Sequence, residues 1–254
     1  MDIIYKRSNK MNTTLLSIHQ PNFMPWIGLI NKIVISDIFV ILDDVYFSKS
    51  QFQNRNSVLT ANGTVYLSVP VKKKAHEFIN KVEISYDTNW RKKHLETLYF
   101  SYKKCNQFRP FFERLEGIYQ KDYKFLIDLN IEIIKNIFDY LDINFKIILS
   151  SELQVGLGKT TRIIEICKKI YSNIYIYGGD SNYLDRSQFE EKRIKLIPQN
   201  FIHPIYYQKH SHEFVKNLSI VDWIFQASKQ EIRSYLLNQK ERFAIELKKQ
   251  LSLV

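Results

Sequence analysis

The chain has 254 residues, of which 45% are hydrophobic and 14% aromatic, and its 37 lysines and arginines outnumber its 26 acidic residues. This apolar content excludes a mainly disordered chain and suffices for one large domain or two small ones. With 2 cysteines, a disulfide scaffold is excluded and a reducing compartment is indicated.

The net charge of +11 has three interpretations. A basic chain suits nucleic acid or an anionic membrane surface as partner. We prefer the simpler interpretation that lysines accumulate on solvated faces, because isoleucine, lysine, asparagine, tyrosine and phenylalanine are all abundant, as an AT-rich genome would produce. A basic pocket for a phosphorylated small molecule lies between these two.

We expect no stable membrane insertion and a cytoplasmic location. The longest apolar stretch, residues 23–42, is interrupted by Asn31, Lys32 and Asp37, whereas a membrane-spanning helix needs about 18 uninterrupted apolar residues. The N-terminal sequence MDIIYKRSNKMNTT lacks the apolar region of a signal peptide.

The first part of the chain predicts a polar tail and a strand–helix–strand unit. Residues 1–13 are polar and predict a loose tail, and Leu15–His19 predicts a short strand. Helical spacing of apolar residues over 26–36 is followed by an apolar run over 38–42. A parallel βαβ unit explains this order.

The rest of the chain predicts a hairpin and then alternating helices and strands. The turn dipeptide Asn62-Gly63 predicts that residues 56–59 and 65–71 pair. The later elements are, in chain order, a candidate strand at 82–84, helices from 90 onward, at 111–118 and at 125–141, a strand at 145–149, a helix at 160–170, a strand at Ile174–Tyr177, a helix at 184–192, a strand at 195–197, and helices at 219–226 and 229–251.

This order predicts the α/β class: a mainly parallel sheet flanked by helices, with a helical insertion in the middle and a C-terminal helix. We expect a single domain over residues 14–228, and a helix over 229–254 that packs on it or extends from it. Ligands of such sheets bind beyond the carboxyl ends of the strands. His19, Asp43, Asp44 and residues 178–181 would lie there.

The first candidate cluster is SIHQPNFMPWIG, residues 17–28. His19 is its one side chain that exchanges a proton near neutral pH. Gln20 and Asn22 would recognise a ligand by hydrogen bonds, Trp26 would contact it, and the next helix would offer unpaired N–H groups to an anion. A turn packed around a structural histidine is an equally good interpretation.

The second candidate cluster is LDDVYFSKSQFQNRN, residues 42–56. Adjacent strand residues point to opposite faces, so at most one of Asp43 and Asp44 faces a given pocket. A carboxylate here would bind Mg²⁺ together with substrate phosphates, or orient a sugar hydroxyl or an amine. Arg55 would hold a phosphate, and Gln51 and Asn54 would contact substrate. The alternative is a surface loop of mixed charge.

A basic stretch follows, with KKK at 72–74 and WRKKH at 90–94. Aromatic residues among basic ones are typical of nucleic-acid binding. However, DTN at 87–89 resembles a helix cap, and solvated charge explains most of these lysines. The candidate substrate-binding residues retained from this stretch are Lys72, Arg91 and His94.

Two segments contain closely spaced glycines, and the first of them ends like a phosphate-binding loop. GLGKTT at 156–161 lacks the first glycine of that motif, because position 153 is a leucine. ATP hydrolysis on it is therefore rejected, although weak anion binding stays open.

In YGGDSNYLD, residues 177–185, two glycines would let the backbone approach a ligand. Candidates from this and the next segment are Gly178, Asp180, Ser181 and His203. The closely spaced His210 and His212 lack a third ligand nearby, so no metal site is predicted.

Together, IHQPNFMPWIGLINKI, DDVYFSKSQFQNRN, LSVPVKK, NWRKKHLETL, GLGKTTRI and GGDSNYLD resemble the WbqC-like family in order and spacing. The resemblance runs from about residue 16 to about residue 228. Relatives commonly have a Ser-Gly-Pro-Ser type turn after the late strand, whereas this chain has YGGDS at 177–181. That departure leaves the roles of Gly179 and Asp180 open.

Family members are associated with bacterial surface-polysaccharide loci, including the O-antigen clusters of lipopolysaccharide. The resemblance therefore implies a transferase acting on a nucleotide-linked or lipid-linked sugar, with acyl or aminoacyl transfer to an amino sugar preferred. His19 would be the general base, and Asp43 or Asp44 would orient the acceptor amine or the histidine. Arg55 and Lys72 would bind phosphate.

Other functions stay open beside this one. The order strand, histidine turn, helix and strand ending in an acid resembles nucleotidyltransferase-like folds, although their second motif histidine is missing near Gly28 and Asn31. A basic nucleic-acid-binding protein is a weaker alternative, and an aminoacyl donor carried on RNA would join it to the transferase. The sequence leaves the sugar, the donor, any need for Mg²⁺ and the oligomeric state open.

Overall fold

The computed structural model describes residues 14–48, 51–72, 76–179, 181–182 and 184–252. The predicted tail at 1–13 and the candidate residue Asp180 lie outside the described residues. The strands are β1 (Leu15–His19), β2 (Ile38–Ile41), β3 (Arg55–Thr60), β4 (Gly63–Ser68), β5 (Ile147–Leu149), β6 (Ile174–Tyr177) and β7 (Lys195–Pro198). The helices are α1 (Ile27–Ile35), α2 (Trp90–Tyr102), α3 (Phe108–Gln120), α4 (Leu126–Leu141), α5 (Thr160–Lys169), α6 (Arg186–Glu191), α7 (Ile220–Gln226) and α8 (Lys229–Ser252).

A five-stranded sheet in the order β5-β2-β1-β6-β7 organises the fold, and all its neighbouring strands are parallel. In its centre, His19 at the end of β1 pairs with Ile41 of β2. Both faces of a parallel sheet are covered, so its strands are short continuous apolar runs rather than alternating patterns. The predicted α/β class with a mainly parallel sheet is confirmed.

The side chains of successive strand residues divide the core between the two faces of the sheet. Leu16 and Val40 pack with α5 and α6 on one face. On the other face, Phe39 packs among residues of α1 and α4, and Ile176 packs against α8. Every residue of α1 is buried, so this helix lies in the interior rather than on the surface.

The predicted helical insertion between β2 and β5 is confirmed and comprises the β3–β4 hairpin and α2, α3 and α4. Thr60 pairs with Gly63 at the turn, where Gly63 has a φ of +96° that favours glycine. The second hairpin strand ends at Ser68, three residues earlier than predicted, shortly before Pro70.

Two predicted boundaries differ from the structure for local reasons. Instead of a strand at 82–84, single bridges join Ile84 to Val71 and Glu83 to Phe125. The helix predicted from residue 184 begins at Arg186, because Asp185 is its N-cap and accepts a hydrogen bond from the Ser187 backbone N–H.

The C-terminal helix α8 packs along α1 and reaches the sheet. Its first half contributes Ile232 and Leu236 to the main core. Its second half places Phe243 and Leu247 against Ile35 of α1 and against apolar residues of β6 and β7. In the described part of the chain, no helix has both the length and the apolar character that crossing a membrane requires.

The packing of α8 predicts unequal effects for two substitutions on the same helix. Phe243 is 7% exposed and Ile245 is 56% exposed. Phe243→Ala leaves a cavity beside Ile35 and is expected to lower the free energy of unfolding by about 3 kcal/mol. Ile245→Ala is the matched control, with an expected change below about 0.5 kcal/mol. Urea denaturation measures both, and equal losses would contradict this packing.

Candidate functional site

The order of the strands creates a crevice at one edge of the sheet. From β1 the chain moves through α1 to β2 on one side, whereas β6 and β7 lie on the other side of β1. Connections leaving the sheet in opposite directions open a space at the carboxyl ends of the strands, where ligands of such folds bind. A cavity of about 630 Å³ lies there. It includes His19, Trp26, Gly28, Lys32, Gly178, Gln199 and Phe201, and we call it the switch-point cavity.

His19 lines this cavity at the end of β1. Its Nδ1 donates to the backbone carbonyl of Gln20 at 2.8 Å. Because a carbonyl only accepts, the neutral ring carries its proton on Nδ1 and leaves Nε2 free to accept one. Burial, and then the charge of Lys32, lower the pKa of His19 to about 4. The imidazole is therefore neutral at pH 7.

Lys32 is a cavity residue that sequence reasoning missed. It lies on α1 and is 4% exposed, and its Nζ donates to the Ile18 carbonyl at 3.1 Å. Burial lowers the pKa of its ammonium group to about 8. The sequence carried a signal for it: a lysine inside a largely apolar helix is unusual, because lysine is almost never fully buried without a partner.

Trp26 and Gly28 form one wall of the cavity at the start of α1. A Cβ on Gly28 would lie 2.2 Å from Cη2 of the Trp26 indole, so only glycine lets that ring lie over the first turn. Phe201 meets the indole edge-on, with ring centroids 5.6 Å apart. The Gln199 amide donates to the Gly28 carbonyl at 2.8 Å. Gln199 and Phe201 belong to no recognised motif, and the sequence offered no signal for them.

The two glycines after β6 also line the cavity. A Cβ on Gly178 would lie 3.4 Å from Oε1 of Gln199, so the backbone passes close to that side chain. Gly179 has a φ of +39° in the left-handed region. Ser181 accepts a hydrogen bond from Arg186 at 3.4 Å and is not among the described residues that line the cavity.

Hydrogen bonds join the segment IHQPNFMPW, residues 18–26, to the segment QNRN, residues 53–56. Gln53 donates to Oε1 of Gln20 at 2.7 Å, and Asn56 donates to the Met24 carbonyl at 2.7 Å. Asn22 is buried, and its Nδ2 has no hydrogen-bond partner among the described residues. The insertion therefore fixes the turn that follows His19.

Gln51 and Asn54, two further candidate residues of the cluster at 42–56, have different surroundings. Asn54 is buried and donates to the Val69 carbonyl at 3.0 Å, inside the hairpin. Gln51 is exposed. Neither is among the described residues that line the switch-point cavity.

Asp43 and Asp44 lie beyond the end of β2, and their described contacts are structural. Asp43 is buried and accepts from the backbone N–H and hydroxyl of Ser151, at 2.9 and 2.6 Å. Asp44 pairs with the buried guanidinium of Arg162. Neither carboxylate is among the described cavity residues, so their roles in catalysis or Mg²⁺ binding stay predictions.

The structure does not bring the predicted basic residues to the cavity. Arg55 stacks over the Tyr66 ring at 4.6 Å, and Lys72 pairs with Glu83 at 2.7 Å. Arg91 donates to backbone carbonyls near the end of α3. None of the three is among the described residues lining the cavity.

Two predicted histidines have both ring nitrogens engaged away from the cavity. Nε2 of His94 donates to the Ser68 carbonyl at 3.2 Å, and its Nδ1 accepts from the Tyr119 hydroxyl at 3.1 Å. His203 donates from Nδ1 to the carbonyl of the next residue and accepts at Nε2 from the Asn217 N–H. These contacts hold neutral rings in place and leave no free lone pair like that of His19.

No group of three or more His, Cys, Asp or Glu side chains within the described ranges is arranged to hold a metal ion. A donor set for Mg²⁺ at the cavity would therefore have to include substrate oxygens, as phosphate-bound Mg²⁺ commonly does.

Comparison with known proteins adds sequence relationships to this geometry. A family model described as the WbqC-like protein family matches residues 20–234. The chain is 29% identical over 214 residues to an uncharacterized protein of Mycobacterium tuberculosis, Rv1507c, and the alignment covers 83% of this chain and 92% of that protein. No solved structure significantly matches this chain. The family match begins just after His19 and includes the cavity residues on α1 and those after β6 and β7.

The surroundings of His19 predict an unusual titration. We expect its imidazole to titrate near pH 4 and to hold its proton on Nδ1 at pH 7, because burial and Lys32 disfavour the charged ring. Nitrogen and proton NMR shifts of the imidazole measure both properties, and His19→Gln identifies the signal by removing it. A midpoint near the ordinary value of about 6.5 would contradict this burial.

The wall made by Trp26 and Gly28 predicts a local effect of a single methyl group. Gly28→Ala is expected to displace the indole and to change the tryptophan emission spectrum, because its Cβ would overlap the ring. Gly117→Ala on α3 is the control, since apart from its own helix backbone and chain neighbours no described atom lies within 4 Å of its Cβ. That control should stabilise α3 by about 0.5–1 kcal/mol without a spectral change. Identical spectra for Gly28→Ala and the unchanged protein would refute the overlap.

Proposed function

Because the chain belongs to the WbqC-like protein family, we propose that it is a transferase of bacterial surface-polysaccharide synthesis that acts in the switch-point cavity. Its substrate is a nucleotide-linked amino sugar, and the reaction is acyl or aminoacyl transfer to the sugar amine. The observation that carries this proposal is the Nε2 of His19, which has no hydrogen-bond partner among the described residues and belongs to a neutral imidazole that lines the cavity.

The proposed step needs a base at this position. The sugar amine attacks the carbonyl carbon of the donor, a C–N bond forms, and the bond between that carbon and the leaving group breaks. His19 accepts the amine proton at Nε2 and passes it to the leaving group. The hydrogen bond from Nδ1 to the Gln20 carbonyl keeps Nε2 as the accepting atom throughout.

The size and lining of the cavity support a small-molecule substrate. Its volume of about 630 Å³ is within the roughly 300–1,000 Å³ of small-molecule sites. Trp26 and Phe201 supply aromatic faces for a sugar ring or a base, and Gln199 supplies an amide. Asp43 or Asp44 would orient the acceptor amine only by exchanging their present partners Ser151 and Arg162 on binding.

A second candidate function, nucleotidyl transfer, is favoured by one observation. β1, His19, α1 and β2 form a parallel unit with the cavity at the reversal of strand order, a position where nucleotides bind in open α/β sheets. This reaction would release pyrophosphate rather than add an acyl mass to a sugar, so the products separate the two functions.

His19→Ala is expected to lower turnover by about 10²–10⁴-fold with the fold retained, because it removes the proton acceptor. Mass spectrometry of nucleotide-linked amino sugars incubated with acyl-coenzyme A or aminoacyl-tRNA donors measures the product. His212→Ala is the control, since this histidine is exposed and lies outside the cavity. Full activity of His19→Ala would refute the proposed base, and pyrophosphate release would favour the second function.

A further inference from the structure

Lys32 presents an ammonium group whose charge has no partner among the described residues. A lysine ammonium has three N–H donors, and one of them is used by the Ile18 carbonyl. No described carboxylate forms an ion pair with it, and burial is what lowers its pKa, to about 8, so that it is mainly charged at pH 7. An unpaired buried charge is costly, and a ligand anion would remove that cost.

The surroundings of Nζ leave an anion room to approach. Lys32 lines the switch-point cavity together with Gly28, Leu29 and Gly178. A Cβ on Gly178 would already lie 3.8 Å from Nζ, so glycine keeps the space beside the ammonium open.

We propose that Lys32 is the anion-binding residue of the switch-point cavity and that its ligand is a phosphate group of the substrate. The choice of a phosphate rests on the proposed function, in which the sugar is nucleotide-linked. A carboxylate shares the same anionic-oxygen chemistry and is distinguished in the experiment below. Lys32 takes the role that the sequence predicted for Arg55 and Lys72, which have partners elsewhere.

Binding of a phosphate at Lys32 also changes His19. Burial, and then the charge of Lys32 on α1, lower the pKa of His19, whereas the hydrogen bond to the Gln20 carbonyl raises it. An anion paired with Lys32 cancels its charge, so the pKa of His19 rises when substrate is bound. The imidazole becomes a stronger base only in the loaded cavity.

Isothermal titration with pyrophosphate tests the binding step on the full chain. The unchanged protein should bind, and Lys32→Met should bind about 10- to 100-fold more weakly, as expected for loss of a charge-assisted hydrogen bond. Lys32→Arg keeps the charge and should bind better than Lys32→Met. Lys168→Met removes one exposed charge from α5 and should bind like the unchanged protein. Glutarate is the carboxylate arm, and preference for it over pyrophosphate would overturn the choice of phosphate.

A second measurement uses only the unchanged protein and so does not depend on the folding of variants. Saturating pyrophosphate should raise the NMR titration midpoint of His19, and an unmoved midpoint would overturn the link between the two residues. No pyrophosphate binding, or equal binding by Lys32→Met, would overturn the inference itself. Failure of the proposed function looks different: Lys32-dependent binding persists, including in His19→Ala, while no acyl product forms.

Discussion

Complete burial of α1 is the constraint on which the rest of this structure depends. The helix lies between the sheet, α4 and α8, and all of its residues are buried. A lysine on such a helix keeps its charge away from water and lowers the proton affinity of the histidine beside it. The Trp26 indole lies over Gly28 in the first turn of the same helix. The shape of the cavity, the pKa of His19 and a lysine charge without a partner among the described residues thus all involve this helix.

The insertion between β2 and β5 supports this arrangement from outside the sheet. The turn after His19 contains prolines and a positive φ at Met24, and it lacks regular hydrogen bonding of its own. Gln53, just before the hairpin, and Asn56, in its first strand, supply the missing partners. A chain segment remote in sequence therefore fixes the backbone carbonyl that determines which nitrogen of His19 carries the proton.

Apolar runs and helical spacing were enough to predict the parallel sheet, the helical insertion and the position of His19 at the end of β1, because these patterns reflect local periodicity. Side-chain partners depend on tertiary contacts that no local pattern contains. Arg91 and His94 occur in a basic, aromatic stretch like that of a binding surface, yet they hold α2 to its neighbours. Lys32 and Gln199 are separated by most of the chain, and only the strand order brings them to one cavity.

The matched family range ends at residue 234, inside α8. Phe243 and Leu247, which cover Ile35 at the far end of α1, therefore lie outside it. The helix that carries the cavity lysine is therefore covered at its far end by side chains of α8 that the matched range does not include. A chain shortened to end near residue 234 would keep the matched sequence and lose the apolar contacts that cover Ile35. The position of this wall of the cavity thus depends in part on residues beyond the matched range.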